Sequence, residues 1–90
     1  MFLVVAYDVV DDKRRQNIAK KLKDYGVRVQ YSVFECILEE TKFEEMVRSV
    51  LPFFQDEDSL RIYPLCQSCI KNVKAYGEAV VTTDPEVYIV

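Results

Sequence analysis

Asp8 is the residue whose type and position could most directly support chemistry. It closes an apolar run over residues 2–7 that is typical of a strand buried on both faces, and it precedes a candidate helix. In a two-fold dimer Asp8 could face its own symmetry mate, and two facing carboxylates favour a bridging divalent cation such as Mg²⁺ or Mn²⁺. Asp8 could equally be a strand-end cap or a turn residue, and the sequence leaves both interpretations open.

The composition restricts the chemistry that the remaining residues can perform. The chain of 90 residues contains no histidine and only two glycines, Gly26 and Gly77. The missing histidine excludes Ser-His-Asp and Cys-His nucleophile systems and any zinc site that uses histidine. Two isolated glycines cannot form a phosphate-binding loop or a dinucleotide fingerprint. Catalysis would therefore depend on carboxylates, tyrosine, lysine, arginine, thiols or a metal held by oxygen ligands.

The net charge of −3 is the average of two oppositely charged segments. Residues 13–28 hold seven basic residues and one acidic residue, a local charge of +6. Residues 39–58 hold seven acidic and two basic residues, a local charge of −5. Because a partner responds to the local field rather than to the average, the acidic total does not exclude nucleic acid.

The basic segment supplies the candidate contacts to nucleic acid. Lys13, Arg14 and Arg15 lie at the predicted start of a helix, where backbone donors and the helix dipole favour anions. Arg15 is expected to point toward the sheet end and Asp8, and Lys20 continues an exposed row. We expect these side chains to contact phosphates without reading bases. A solubilising helix face is the alternative interpretation.

Two further groups of residues stand out. Arg28, Gln30, Ser32 and Phe34 would share one face of a long predicted strand, which suits a polar interface or a surface that faces substrate. Cys66 and Cys69 form a single C-x-x-C pair, which cannot complete a tetrahedral zinc site within one chain. We interpret the pair as structural or adventitiously oxidised, with a redox role as the alternative.

The order of apolar segments and of the turn-forming or helix-ending residues between them predicts an α+β protein. Strands are expected at residues 2–7, 27–38, 59–64 and 72–76, with extended pieces at 79–81 and 86–90. One helix is expected from residue 11 or 12 to about 25, and a second from a capping box at Thr41 to about 52. A turn or short helix is expected at 66–70. This order favours a single ferredoxin-like domain over residues 1–90, with two helices on one face of an antiparallel sheet. The bare sheet face predicts a homodimer, in which residues 78–90 extend the partner's sheet.

Four stretches of the chain resemble one family. They are residues 5–9 (VAYDV), 11–15 (DDKRR), 25–35 (YGVRVQYSVFE) and 59–64 (SLRIYP). They are similar to the small CRISPR-associated endonucleases of the Cas2 family, and the similarity follows the whole chain in order. The resemblance implies a ferredoxin-like homodimer with a divalent metal, usually Mg²⁺, held by Asp8 at the two-fold axis. It also implies cleavage of single-stranded RNA or double-stranded DNA, and assembly with the CRISPR integrase, Cas1, in spacer acquisition and antiviral defence.

The resemblance also assigns individual residues. Tyr7 and Asp8 match the family's site, Arg15 matches its helix arginine, and Arg28 and Phe34 match long-strand positions implicated in activity. Some members carry a second arginine where this chain has Asn17, which weakens the expected phosphate contact there.

Two functions of different classes follow. One is metal-assisted hydrolysis that depends on Asp8, and the other is a non-catalytic dimeric scaffold that bridges integrase dimers and binds duplex DNA. A cysteine-metal or redox module is a third interpretation. The apolar start is too short for a signal peptide and three sparse cysteines fit a reducing compartment, so we expect a prokaryotic cytoplasmic protein.

Overall fold

The computed structural model describes residues 1–83. Its strands are β1 (Phe2–Asp8), β2 (Val27–Gln30), β3 (Val33–Ile37) and β4 (Ser59–Leu65), and its helices are α1 (Asp12–Leu22), α2 (Glu40–Val50) and α3 (Gln67–Lys71). A short 3₁₀ turn, Leu51–Phe53, follows α2. Within residues 1–83, no helix is long and apolar enough to cross a lipid bilayer.

The four strands form one sheet in the order β2-β3-β1-β4, and every neighbouring pair is antiparallel. Helix α1 connects β1 to β2, and α2 connects β3 to β4. Each helix therefore joins two strands that run in the same direction with one strand between them. This topology confirms the predicted ferredoxin-like sandwich.

Alternate residues of β1 face the helices and form the centre of the core. Leu3, Val5 and Tyr7 are buried on this face, as expected for the period-2 alternation of a strand. Both helices contribute to the same cluster, so both lie on one side of the sheet. The complete buried cluster is Leu3, Val5, Tyr7, Val9, Ile18, Ala19, Leu22, Phe34, Cys36, Met46 and Val50.

The single long strand predicted over residues 27–38 is wrong, because the chain reverses at Tyr31 and Ser32. Strands β2 and β3 pair as a hairpin in which Arg28 lies opposite Phe34, with a bulge between Arg28 and Gln30. The reversal satisfies the hydrogen bonds of β3 with the chain's own backbone. Arg28 and Phe34 are thus neighbours through cross-strand pairing and not through alternation along one strand.

The strand predicted at residues 72–76 is also wrong. Residues 72–83 contain no assigned strand, which includes the extended piece predicted at 79–81. The segment instead contacts β3, since the backbone N–H and the hydroxyl of Thr82 donate hydrogen bonds to Glu35 at 3.1 and 2.6 Å. The strand predicted at 86–90 lies outside the described residues, as does most of the extension expected to pair with a partner.

The two long helices begin differently from each other. Asp11 caps α1, and its carboxylate accepts a hydrogen bond from the Arg14 N–H at 2.9 Å, as the sequence predicted. Helix α2 begins at Glu40, one residue before the predicted cap, so Thr41 lies inside the first turn. The predicted capping box therefore does not form.

Gly26 is required for close packing of the backbone. A side-chain carbon at this position would overlap the Glu35 carbonyl oxygen and the Cys36 sulfur, both in β3. Helix α1 already ends at Leu22, so Gly26 lies four residues beyond the helix. The glycine allows the chain that enters β2 to lie directly against β3.

We predict that Gly26→Ala destabilises the protein by about 3 kcal/mol, because the added carbon must displace the backbone of β3. Urea unfolding monitored by circular dichroism measures the change.

Gly77→Ala is the matched control. Gly77 has a φ of 68°, and an added carbon would meet nothing within 4 Å, so this variant should lose only about 1 kcal/mol from the left-handed backbone. Equal losses for the two variants would contradict the role of close packing at Gly26.

Candidate functional site

The end of β1 presents two candidate residues to opposite sides of the sheet. Tyr7 is 5% exposed and faces the core, whereas Asp8 is exposed. Their separation follows from strand alternation, since successive side chains point to opposite faces. Asp8 pairs with Ser59 of β4, so its backbone is fixed by the sheet although its side chain is open to solvent.

Tyr7, Arg28 and Phe34 form one cluster around the carbonyl oxygen of Tyr31. The Tyr7 hydroxyl donates to this oxygen at 3.3 Å, and Arg28 donates to it through Nε at 3.0 Å and Nη2 at 2.6 Å. The rings of Tyr7 and Phe34 stack with their centroids 6.4 Å apart. The Arg28 guanidinium lies 6.0 Å from the centroid of Phe34, within cation–π range.

Burial raises the pKa of Tyr7 above its ordinary value of 10.0, and the positive charges of Arg28 and Arg15 only partly oppose this effect. The hydroxyl therefore stays protonated at neutral pH and remains a hydrogen-bond donor. Because both Tyr7 and Phe34 are buried, neither presents a surface that a polymer could reach.

Arg15 lies at the other side of this cluster, next to the end of β1. Its Nη1 donates to the Val9 carbonyl oxygen at 2.9 Å, and its guanidinium also pairs with Asp12. Val9 directly follows Asp8, so Arg15 is bonded to the backbone immediately after the candidate carboxylate. Its side chain remains 43% exposed and can reach a ligand.

A cationic groove of about 300 Å³ runs between α1 and β2, and we call it the basic groove. Its lining consists of Arg15, Gln16, Asn17, Ala19, Lys20, Lys23 and Arg28. The lining includes four cations and no acidic side chain, so its field favours an anion. Lys20 was predicted as a contact, whereas the sequence analysis missed Lys23. The sequence contains a pattern that predicts Lys23 as a contact, because residues 15, 19 and 23 are spaced four apart and lie along one face of a helix.

Arg14 does not belong to the basic groove, which differs from the expectation that it contacts phosphate. Its guanidinium pairs with Asp58 and donates to the Phe53 carbonyl oxygen at 3.3 Å. Its side chain is only 17% exposed. The charge is thus already paired within the protein, whereas Lys13, on the same turn, is exposed.

The Asp58 side chain is a buried anchor within the acidic segment of residues 39–58. It is fully buried and accepts hydrogen bonds from Arg14, from the Val10 N–H at 3.1 Å and from the Gln55 N–H at 2.8 Å. Burial raises the pKa of Asp58, but the hydrogen bonds from Gln55, Val10 and Arg14 outweigh it and the pKa is lowered overall. The ionised carboxylate therefore fixes the loop that follows Asp8.

Asp8 of one chain could supply only part of the metal site that the sequence predicts. Within residues 1–83, no three histidine, cysteine or acidic side chains gather closely enough to hold a metal ion. A carboxylate oxygen is a suitable ligand for Mg²⁺ or Mn²⁺, and Asp8 is exposed and accessible to a cation. The donor chemistry therefore fits the cation that the resemblance implies, provided that a second Asp8 joins the first.

Comparison with known proteins gives consistent results. The family model described as CRISPR associated protein Cas2 matches residues 1–73. The chain is 48% identical over 92 residues to the CRISPR-associated endoribonuclease Cas2 3 of Synechocystis sp., and the alignment covers all of both chains. It is 50% identical over 62 residues to the CRISPR-associated endonuclease Cas2 2 of Thermus thermophilus, covering 68% of this chain and 69% of the relative.

The fold is also similar to that of a solved relative. The crystal structure of Streptococcus pyogenes Cas2 superposes with a TM-score of 0.74 at 34% identity. The superposition covers 86% of this chain and all of the other.

We predict that Asp58→Asn lowers the Tm by about 10 °C at neutral pH, because it removes the nearest counter-ion of the half-buried Arg14 and weakens a buried acceptor of three hydrogen bonds. Differential scanning calorimetry measures the shift. The folded pKa of Asp58 lies below its ordinary value of 3.8, so its stabilisation is complete above that pH. The difference between wild type and variant should shrink as the pH falls below 3.8 toward the folded pKa.

Asp56→Asn is the control, since Asp56 is an exposed carboxylate of the same turn. It should change the Tm by less than about 3 °C. A Tm difference for Asp58→Asn that is small, or that persists unchanged at low pH, would contradict the anchoring role.

Proposed function

This chain belongs to the Cas2 family of CRISPR-associated proteins, and from that premise we propose that it is a metal-dependent endonuclease. Its substrate is single-stranded RNA, double-stranded DNA or both. The observation that carries the proposal is the exposed Asp8 carboxylate on a backbone fixed by the sheet, next to an arginine that lines a cationic groove. The relatives' names, endoribonuclease and endonuclease, support the same reaction class.

The proposed active unit is a homodimer formed through the sheet face opposite the helices. Asp8 alternates onto that face together with Val4 and Ala6, which are half-buried, and the neighbouring Tyr63 of β4 is 48% exposed. A second copy would cover these apolar groups and bring a second Asp8 to the first. Two carboxylates then form the cation site that one chain cannot complete.

A divalent cation bound there supplies stabilisation of charge on the phosphate and activation of water. The chain's own residues bind and orient the substrate. Arg15 and Lys20 hold the phosphates that flank the scissile bond, since both line the basic groove. Tyr7 acts as a positioning residue, because its hydroxyl and Arg28 together fix the Tyr31 carbonyl and the turn of the hairpin.

In the cell, the proposed role is spacer acquisition together with the CRISPR integrase, Cas1. The basic groove also supports the second candidate, a scaffold that binds duplex DNA without cutting it. Its cationic lining would contact an anionic backbone as readily for binding as for cleavage. The two functions differ in their dependence on Asp8.

We predict that Asp8→Asn lowers the Mg²⁺-dependent cleavage rate about 100-fold, because the amide is a poor cation ligand and charge stabilisation of about 3 kcal/mol is lost. Cleavage of labelled single-stranded RNA and duplex DNA, with Mg²⁺, with Mn²⁺ and with a chelator, measures the rate.

Asp56→Asn serves as the control and should retain the wild-type rate, because it removes one exposed carboxylate at a turn on which no substrate contact is proposed. Equal rates for Asp8→Asn and wild type, with the dimer intact by ultracentrifugation, would remove Asp8 from catalysis. If spacer integration with Cas1 also survived in that variant, the scaffold would be the supported function.

We predict that Lys20→Gln and Lys23→Gln each weaken binding of duplex DNA and lower the slope of log K against log salt by about 1, because each removes one phosphate contact. Fluorescence anisotropy with a labelled duplex at several salt concentrations gives the slope.

Lys42→Gln makes the same change of charge on α2, where Lys42 pairs with Glu45 at 3.3 Å. This variant should keep the wild-type slope. If all three variants shifted the slope equally, binding would follow the net charge and not the basic groove.

A further inference from the structure

Cys66 and Cys69 lie on the first turn of α3, directly after β4 ends at Leu65. Their sulfur atoms are 3.3 Å apart, and both side chains are exposed. The Ser68 hydroxyl lies 3.2 Å from the Cys66 sulfur. The third cysteine, Cys36, is buried in the core. The nuclease proposal uses none of these four residues.

We propose that Cys66 and Cys69 form a redox-active dithiol, which closes reversibly to an intramolecular disulfide in exchange with low-molecular-weight disulfides of the glutathione type. A disulfide bond is about 2.05 Å long, so closure requires the two sulfurs to approach by little more than 1 Å. Side-chain rotation on one helical turn provides such a movement.

The exchange balances in two steps. The Cys66 thiolate attacks one sulfur of the small disulfide, which forms a mixed disulfide and releases one thiolate that takes up a proton. The Cys69 thiol then loses its proton and attacks the Cys66 sulfur, which forms the Cys66–Cys69 bond and releases the second small thiol. The protein dithiol is oxidised by two electrons, and the small disulfide is reduced to two thiols.

The surroundings of the two thiols favour this order of attack. Hydrogen bonds, first from the Ser68 hydroxyl and then from the Cys69 N–H and thiol, lower the pKa of Cys66 to about 7. The hydrogen bond with Cys66 and the negative charge of Cys66 raise the pKa of Cys69 above 9.0. Burial, with a smaller effect of Glu35, raises the pKa of Cys36 to about 11. Only Cys66 combines exposure with a substantial thiolate fraction at neutral pH.

The geometry supports a disulfide better than a metal site. Two thiolates fill only half of a tetrahedral zinc site. The described residues 1–83 offer no third ligand beside them.

The test uses the full chain, reduced and then equilibrated with mixtures of reduced and oxidised glutathione. Free thiols are blocked with N-ethylmaleimide under denaturing conditions, and peptides are identified by mass spectrometry. We expect the peptide with both Cys66 and Cys69 to lose two hydrogens reversibly, while Cys36 stays reduced and is blocked.

Single serine variants separate the roles of the two cysteines, and both positions are exposed, so the fold should persist. Cys69→Ser should accumulate the mixed glutathione disulfide on Cys66, because the resolving thiol is absent. Iodoacetamide should alkylate Cys66 in Cys69→Ser at least about fivefold faster than Cys69 in Cys66→Ser, given the thiolate fractions and the lower nucleophilicity of an acidic thiol.

Three results would overturn the proposal. The first is oxidation that produces mainly disulfides between chains. The second is equal reactivity of Cys36, Cys66 and Cys69 in the folded protein. The third is stoichiometric zinc bound by these cysteines in the purified protein, which would make the pair half of a structural metal site between two copies.

Discussion

The buried carboxylate of Asp58 is the interaction on which the arrangement at the end of β1 depends. It accepts hydrogen bonds from Val10, Gln55 and Arg14, which belong to three different segments of the chain. The adjacent Ser59 pairs with Asp8 in the sheet. The end of β1 is therefore fixed on one side by the β-ladder and on the other by the loop that Asp58 anchors. The proposed sharing of a cation between two copies of Asp8 would gain from this rigidity, because misplacement of a ligand is costly.

Because side chains alternate along β1, the two faces of the sheet carry candidate residues with different roles. The face toward the helices carries Tyr7 and Phe34, which hold the hairpin turn through the Tyr31 carbonyl and Arg28. The opposite face carries Asp8, which is exposed. Neighbouring residues of one strand thus perform separate tasks, one in support of the hairpin and one toward the proposed cation. In the proposed nuclease, Tyr7 would therefore act through the hairpin and without contact to substrate.

Local sequence patterns predicted most of the fold, and the failures arise where the local signal is weak or the contact is long-range. The apolar run of β1 and the helical periodicity of α1 and α2 were sufficient, since each reports directly on one buried face. The hairpin at Tyr31 and Ser32 was missed because the turn contains no glycine, proline or asparagine, and a single serine is a weaker turn signal. The pairing of Arg14 with Asp58 was missed because they are 44 residues apart, and only the folded chain brings them together.

The pairing of Arg14 also explains how an acidic protein presents a cationic surface. The basic and acidic segments of the sequence meet where Arg14 contacts Asp58 and Glu57, the latter at 3.7 Å. This contact neutralises Arg14, the cation that faces the acidic segment. The cations on the other face of α1 line the basic groove and are not neutralised by that segment. From Lys23 to Arg15 that face spans about 12 Å, the axial length of roughly three phosphates in one duplex strand. The groove ends at Arg15, whose bond to the Val9 carbonyl oxygen links this cationic face of α1 to the backbone at the end of β1.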